Sequence, residues 1–190
     1  GGGYGHNEIL ALTGSAVARL DWNINRRNQL SVRYNMLHAD ADAGSNSAQS
    51  FYFSGAEYTN INRTHSAVVE LHSYPADHTS NNLRVGYTYL RDGRTTAESL
   101  PAVIINGLGE RSNGTATIGT NPYSGRNMLK QNIFTLHNDL DITIKRHNIG
   151  VGIAAEIYRA DNLYLANARG TYTYASLDDF LADDGTSAGH

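Results

Sequence analysis

The chain contains residue types suited to metal binding, but not at the spacings that metal sites require. Eight histidines occur among 190 residues, and no two lie four positions apart, the spacing of a zinc site on a helix. His38, Asp40 and Asp42 alternate as calcium ligands could, yet no glutamate follows where an EF-hand loop needs one. We therefore predict no metal site and interpret 38–44 as a polar segment.

Carboxylate and hydroxyl groups are plentiful, but they suggest no catalytic arrangement. Asp139 and Asp141 lie two apart, so in a strand they share one face, as a pair of acid–base carboxylates would. No nucleophile elbow, phosphate-binding loop or HExxH motif supports catalysis, and the absence of cysteine excludes a thiol nucleophile. We predict that the protein is not an enzyme and uses no cofactor.

Aromatic residues in two long polar segments, 38–63 and 91–128, are the candidates for ligand contact. Phe51, Tyr52 and Phe53 follow one another in the first segment, and Tyr123 lies in the second. Such rings stack on sugars or bury against peptides, although they also pack against neighbouring loops. We predict these four as ligand-contacting residues, for a ligand that the sequence does not identify.

The composition argues against a nucleic-acid partner and against membrane-spanning helices. Charged residues form 17% of the chain, below the roughly 25% of ordinary soluble proteins. The formal net charge is −3, and the scattered lysines and arginines form no basic stripe along the sequence. No stretch approaches the roughly 20 consecutive apolar residues of a transmembrane helix.

Six windows alternate apolar and polar residues with a period of two, which predicts strands with two different faces. In the first window, Leu20 and Trp22 lie on the apolar face, and Arg19 and Asp21 lie on the opposite face. Helical periodicity is nearly absent, so we predict an all-β chain. The approximate strands are 15–24, 29–37, 64–74, 82–90, 131–145 and 148–158.

Short and long connections alternate between these strands. An antiparallel up-and-down meander of this kind places all its tight turns at one rim and all its long loops at the other, which is typical of outer-membrane barrels. Charges in the middle of the polar faces, such as Arg33 and Glu70, suit a wet lumen. We predict a meander of about six to eight strands that forms part of a transmembrane β-barrel wall with long extracellular loops. The short turns are at 25–28, 75–81 and 145–148.

Two other architectures fit the alternation. A soluble or surface-anchored β-sandwich also alternates, and it would bind carbohydrate or protein through the same loops. A complete small outer-membrane barrel of about eight strands, such as an adhesin, would use 163–168 and 171–175 as its last two strands.

Several segments follow one another in the order of a known family. LDWNIN at 20–25 and QLSVRYN at 29–35 look like a pair of barrel strands around a periplasmic turn. They resemble the TonB-dependent receptors of the bacterial outer membrane, in particular Bacteroidetes-type members with a carboxypeptidase-regulatory-like leader. The resemblance covers most of 13–180. Further segments in the family's order are 82–87, Arg94, 127–131, 147–152 and 170–180.

The resemblance implies a place in the outer membrane and a role in uptake. Barrels of this class have about 22 strands around a plugged lumen, so six to eight strands would form only part of the wall. The family's plug domain and TonB box have no counterpart in 1–190, which we therefore interpret as a partial barrel. The implied partners are outer-membrane lipid, a TonB energy-coupling complex acting through the plug, and a large nutrient such as a glycan, peptide or metal chelate.

Overall fold

The computed structural model describes residues 9–44, 46–47, 49–97 and 99–183, which form two β-sheets and two very short helices. A six-stranded antiparallel sheet, the wall, has the order β1-β2-β4-β5-β8-β9. This confirms the predicted all-β antiparallel meander. In chain order the elements are β1 (Ala11–Asn25), β2 (Asn28–Ala43), β3 (Ser50–Tyr52), a 3-10 turn (Ser54–Ala56), β4 (Tyr58–Ala76), β5 (Thr79–Thr96), β6 (Ala102–Leu108), β7 (Gly114–Ile118), β8 (Asn127–Ile144), β9 (His147–Tyr164), β10 (Thr171–Tyr174) and α1 (Leu177–Ala182).

The wall strands are joined by two-residue turns at one rim, the turn rim, and by long connections at the other, the loop rim. The turns occupy 26–27, 77–78 and 145–146, inside the predicted short segments. The strands extend beyond the predicted windows towards the loop rim. The long segments predicted at 38–63 and 91–128 therefore shorten to 44–57 and 97–126.

Cross-strand register divides the wall into two faces, because paired residues point to the same side. We call the face that carries Leu20 the outer face and the other the inner face. One outer row is wholly apolar, whereas the next inner row is mostly polar. The outer row is Leu20, Val32, Val69, Val85, Leu136 and Ala155, and the inner row is Asp21, Ser31, Glu70, Arg84, His137 and Ala154.

The apolar side chains of the outer face are uncovered in the described residues. Leu20 is 67% exposed, and Val151 and Ile153 are each 63% exposed. A sandwich would cover this face with a second sheet, so the soluble sandwich interpretation does not fit. An apolar surface that continues across six strands requires an apolar environment, which lipid provides.

A second sheet is built from the long connections and lies at the loop rim. This loop sheet has the order β10-β6-β7-β3, with parallel pairing at both ends and an antiparallel β6–β7 pair between them. Among the described residues, the buried apolar side chains all lie in the connections: Ala56, Ala102, Ile105 and Ala116. The compact core is therefore in the loop sheet.

The last segments of the chain do not extend the wall. Residues 163–164 complete β9, and 171–174 form β10, which pairs with β6 in the loop sheet. These segments therefore do not supply the seventh and eighth wall strands that a complete eight-stranded barrel would need. No helix in the described residues is long and apolar enough to span a membrane.

Candidate functional site

The inner face of the wall borders a cavity of about 530 Å³ close to the loop rim. We call it the mouth cavity. Residues of five wall strands contribute to its lining. The polar ones are Asn60, Asn62, Asp92, Arg94, Asn127 and Asn162.

Because side chains alternate between the two faces of a strand, these polar residues all lie on the inner face of the wall. Asn62 and Asp92 are register partners on β4 and β5, and the Asn62 amide donates a hydrogen bond to the Asp92 carboxylate. The Thr64 hydroxyl donates to Asn62 Oδ1 at 3.1 Å. The carboxamide is thereby held on both sides, which fixes its orientation at the cavity wall.

Arg94 connects the wall to the turn that precedes β8. Its guanidinium lies 4.7 Å from the centre of the Tyr58 ring, and Nη1 donates to Ser124 Oγ at 3.4 Å. Ser124 is buried and donates in turn to Asn121 Oδ1 at 3.0 Å. Asn121 Oδ1 also accepts from the backbone N–H of Tyr123 at 3.0 Å. This network anchors 121–124 beside the mouth cavity.

The chemistry of the mouth cavity is that of a binding site. Carboxamides donate and accept hydrogen bonds, Asp92 accepts, and Arg94 donates. Such a set suits a ligand rich in hydroxyl or amide groups. Within the described residues, no group of three or more His, Cys, Asp or Glu side chains is arranged to hold a metal ion.

A family comparison agrees with this architecture. The model of the family described as "Outer membrane beta barrel domain" matches residues 9–190. The chain belongs to this family. Neither a curated protein nor a solved structure matches it. Family membership places this barrel domain in the outer membrane, as predicted. In such a barrel the apolar outer face meets lipid, so the inner face is the lumen side.

The outer face of the barrel domain has the belt expected of a bilayer-spanning surface. From the turn rim to the row of Tyr34 and Tyr87, it carries no Asp, Glu, Lys or Arg. On β8 this belt covers 134–144, about 33 Å along the strand, or about 23 Å of height at a tilt of about 45°. Outer-membrane barrels have apolar bands about 25 Å tall.

Aromatic rings border this belt towards the loop rim. Tyr34, Tyr87 and Tyr89 lie on the outer face towards the loop rim, where amphipathic rings meet the lipid headgroups. Tyr158 lies on the inner face of β9 at a similar height, and its hydroxyl accepts from Gln131 Nε2 at 2.6 Å. At this height the outer face of β9 carries Arg159 and Asp161 instead of an aromatic ring.

The inner face at mid-wall is charged and internally paired. Arg84 donates to Glu70 Oε1 at 2.8 Å, and Arg19 binds Asp21 at 2.9 Å. Asp139 lies over Gly152, where an added Cβ would stand 2.6 Å from its Oδ1. The small residues of β9 therefore make room for carboxylates of β8, and charges of both signs line the lumen.

The four predicted ligand-contacting residues lie in the connections, outside the mouth cavity. Phe51 and Tyr52 are on β3 of the loop sheet, and the Phe51 and Phe53 rings meet edge to face with centres 5.0 Å apart. Tyr123 is 56% exposed and lies in the turn before β8. The ring contact joins Phe51 to Phe53 in the first long connection, whereas Tyr123 lies in the second.

Sequence reasoning missed the mouth cavity as a site. Five of its six polar residues fell within the predicted long segments, and the sixth, Asn162, lay beyond the predicted end of the last strand, because both faces of the strands are polar near the loop rim. The period of two does continue into these residues, through Asn60, Asn62 and Thr64 on β4 and through Asp92 and Arg94 on β5. Extension of the alternation past its apolar part would have placed them on one face.

Proposed function

We propose that the chain forms part of the wall of a TonB-dependent receptor of Bacteroidetes type, whose complete barrel takes up a large nutrient across the outer membrane. The nutrient classes that fit are a glycan, a peptide or a metal chelate. The observation that carries this proposal is that both edges of the wall are unpaired among the described residues. The edges are β1, with 15 residues, and β9, with 18.

Two long free edges favour a wide barrel. Unpaired backbone N–H and C=O groups cost several kcal/mol each in lipid, so a bilayer-spanning sheet must pair its edges. Further strands beside β1 and β9 would do this, and barrel diameter grows with strand number. A wall of six strands with room for more on both sides therefore supports a lumen wide enough for a large nutrient.

The loop rim supports a receptor role. The mouth cavity combines carboxamides with Arg94 and Asp92 at the extracellular entrance, where a ligand would first be held. The exposed Tyr123 and the Phe51–Phe53 pair lie in the connections at the same rim, where they would contact a larger ligand. The domain would grip its ligand and do no chemistry on it, and the energy for uptake would come from a TonB complex acting through a plug.

Uptake by intact cells tests this proposal. Cells that express the full-length protein would be offered a fluorescent oligosaccharide, a fluorescent peptide and an iron chelate. We expect uptake of at least one probe, and loss of that uptake when the energy-coupling complex is deleted. Uptake that persists without the complex, or uptake of none of the three classes, would contradict the proposal.

A matched pair of variants tests the role of the mouth cavity. Asp92→Ala removes the carboxylate that holds Asn62, whereas Ser66→Ala alters the inner face of the same sheet outside the cavity lining. We expect Asp92→Ala to raise the probe concentration at half-maximal uptake, with Ser66→Ala close to wild type at equal surface expression. Equal effects of the two substitutions would remove the cavity from the uptake path.

A further inference from the structure

All outward-facing cations of the wall lie in one band just beyond the apolar belt, towards the loop rim. Arg63, Arg91 and Lys130 are direct register partners across β4, β5 and β8. Arg159 follows on β9, one outer row nearer the belt. We call these four residues the basic band. The chain as a whole has a net charge of −3, so this concentration of positive charge is local.

The basic band is only partly neutralised by its own protein. Like charges directly opposite each other across strands destabilise a sheet. Asp40 pairs with Arg63 at 2.7 Å, and Asp161 lies 3.8 Å from Arg159. Arg91 and Lys130 form no ion pair among the described residues, although Asp161 is the register partner of Lys130 on β9. Four cations therefore share two carboxylates, which leaves the band with a surplus of positive charge for an external anion.

The position of the basic band indicates where that anion comes from. Arg91 follows Tyr89 by two residues on the same face of β5, about 7 Å further along the strand. Tyr89 belongs to the aromatic border at the level of the lipid headgroups, so the cations stand at the height of headgroup phosphates. The loop rim is the extracellular side. Arginine binds phosphate with two parallel hydrogen bonds, and lysine adds a point charge.

We propose that the basic band binds the phosphate groups of a phosphorylated lipid in the outer leaflet, with Arg91 and Lys130 as the central contacts. The lipid would lie with its acyl chains on the apolar belt and its phosphates on the band. It would offset the repulsion between the register-paired cations, and it would fix the height of the wall in the membrane. This inference rests on the charge pattern of the outer face and does not depend on the nutrient or on TonB coupling.

Lipid binding to the full-length protein in an uncharged detergent tests this proposal. The probes are micelles doped with a phosphorylated diglucosamine lipid, micelles with the same lipid lacking phosphates, and inorganic phosphate alone, with bound lipid counted by native mass spectrometry. We expect saturable binding that needs the phosphates and that inorganic phosphate at equal concentration does not displace. Equal binding of both lipids would overturn the proposal, and equally effective displacement by inorganic phosphate would overturn the assignment to a lipid.

Matched variants localise the binding to the basic band. Arg91→Gln with Lys130→Gln removes two cations from the band, and Arg26→Ala with Arg146→Ala removes two from the turn rim. We expect about 30-fold weaker binding in the first pair and a change within about twofold in the second. Equal losses would overturn the site. If the first pair does not fold, as judged by heat-modifiable gel migration, the comparison of the two lipids on the wild-type protein still decides the proposal.

Discussion

Tyr174 joins the short helix α1 to the loop sheet. Its hydroxyl donates a hydrogen bond to the Asp183 carboxylate just after α1, and its ring meets Phe180 edge to face with centres 5.2 Å apart. Ser176 caps the N-terminus of the helix, and its hydroxyl accepts from the Asp179 N–H at 3.1 Å. The hydrogen bond to Asp183 stabilises the protonated phenol and raises the pKa of Tyr174 above its ordinary value of 10.0.

The raised pKa of Tyr174 makes the attachment of α1 to the loop sheet dependent on pH. Because the folded pKa lies above the unfolded one, the hydrogen bond contributes fully below about pH 10 and is lost as the pH rises through the folded value. We expect the tyrosinate absorbance difference between wild type and Tyr174→Phe to report a midpoint above 10.0. Asp183→Asn should bring the midpoint down, whereas Asp178→Asn should leave it in place. A wild-type midpoint at or below the ordinary value would contradict the assigned contact.

Asn138 shows how a break in a pattern can be structural. It interrupts the apolar row of β8, and the sequence offered no partner for it. In the fold Asn81 Nδ2 donates to Asn138 Oδ1 at 3.1 Å, and register places both on the outer face. Asn138 is the register partner of Ile153 within the belt, where two amides that satisfy each other are tolerated better than either alone. Only the register between β5 and β8 reveals this pairing.

At the scale of elements, prediction succeeded where the two faces of a strand differ. The β1–β2 hairpin follows directly from the alternation around Leu20 and Val32, and its predicted turn at 25–28 contains the observed one. The alternation fades beyond the belt because water lies on both sides of the wall there. The strand ends from 38 onwards and from 91 onwards were therefore assigned to loops.

The loop sheet could not be predicted from local pattern. Its parallel pairs join β3 to β7 and β6 to β10, segments more than 60 residues apart. Pro101 directly precedes β6, where its missing N–H costs no ladder hydrogen bond. Such pairings depend on packing over long distances along the chain.

Gly119 is the position where the loop sheet tolerates a side chain least. Its φ is +81°, and an added Cβ would stand 2.1 Å from the carbonyl oxygen of Pro101. Gly109 has a similar φ of +77° but open space around it. Gly119→Ala and Gly109→Ala each introduce a backbone strain of about 1 to 2 kcal/mol. Only Gly119→Ala adds a steric clash.

We expect the clash at Gly119 to loosen the loop sheet and leave the wall intact. In hydrogen exchange, the amides of β6 and β7 should exchange at least about tenfold faster in Gly119→Ala than in Gly109→Ala. The amides of β4 and β5 should be unchanged in both. Equal exchange of β6 and β7 in the two variants would show that the approach to Pro101 does not constrain the sheet.

For the whole molecule, the arrangement of the two sheets follows from the solvents on each side. Lipid faces the belt, water fills the lumen, and the connections condense into a sheet with its own small core at the loop rim. The charged fraction of 17% is below that of ordinary soluble proteins, and the order of turns and loops indicated a barrel. The mouth cavity and the basic band needed the cross-strand register, because their residues come from strands that are distant in the sequence.

The measurement that tests the membrane-wall account most directly is the effect of one charge on adjacent residues of β9. Ile153 lies on the outer face at the middle of the belt, and Ala154 lies on the inner face. In urea unfolding of the full-length protein in phosphatidylcholine vesicles, we expect Ile153→Arg to cost about 2 to 4 kcal/mol. Ala154→Arg should stay within about 0.5 kcal/mol of wild type. Equal tolerance of arginine at both positions would contradict a lipid-facing outer surface.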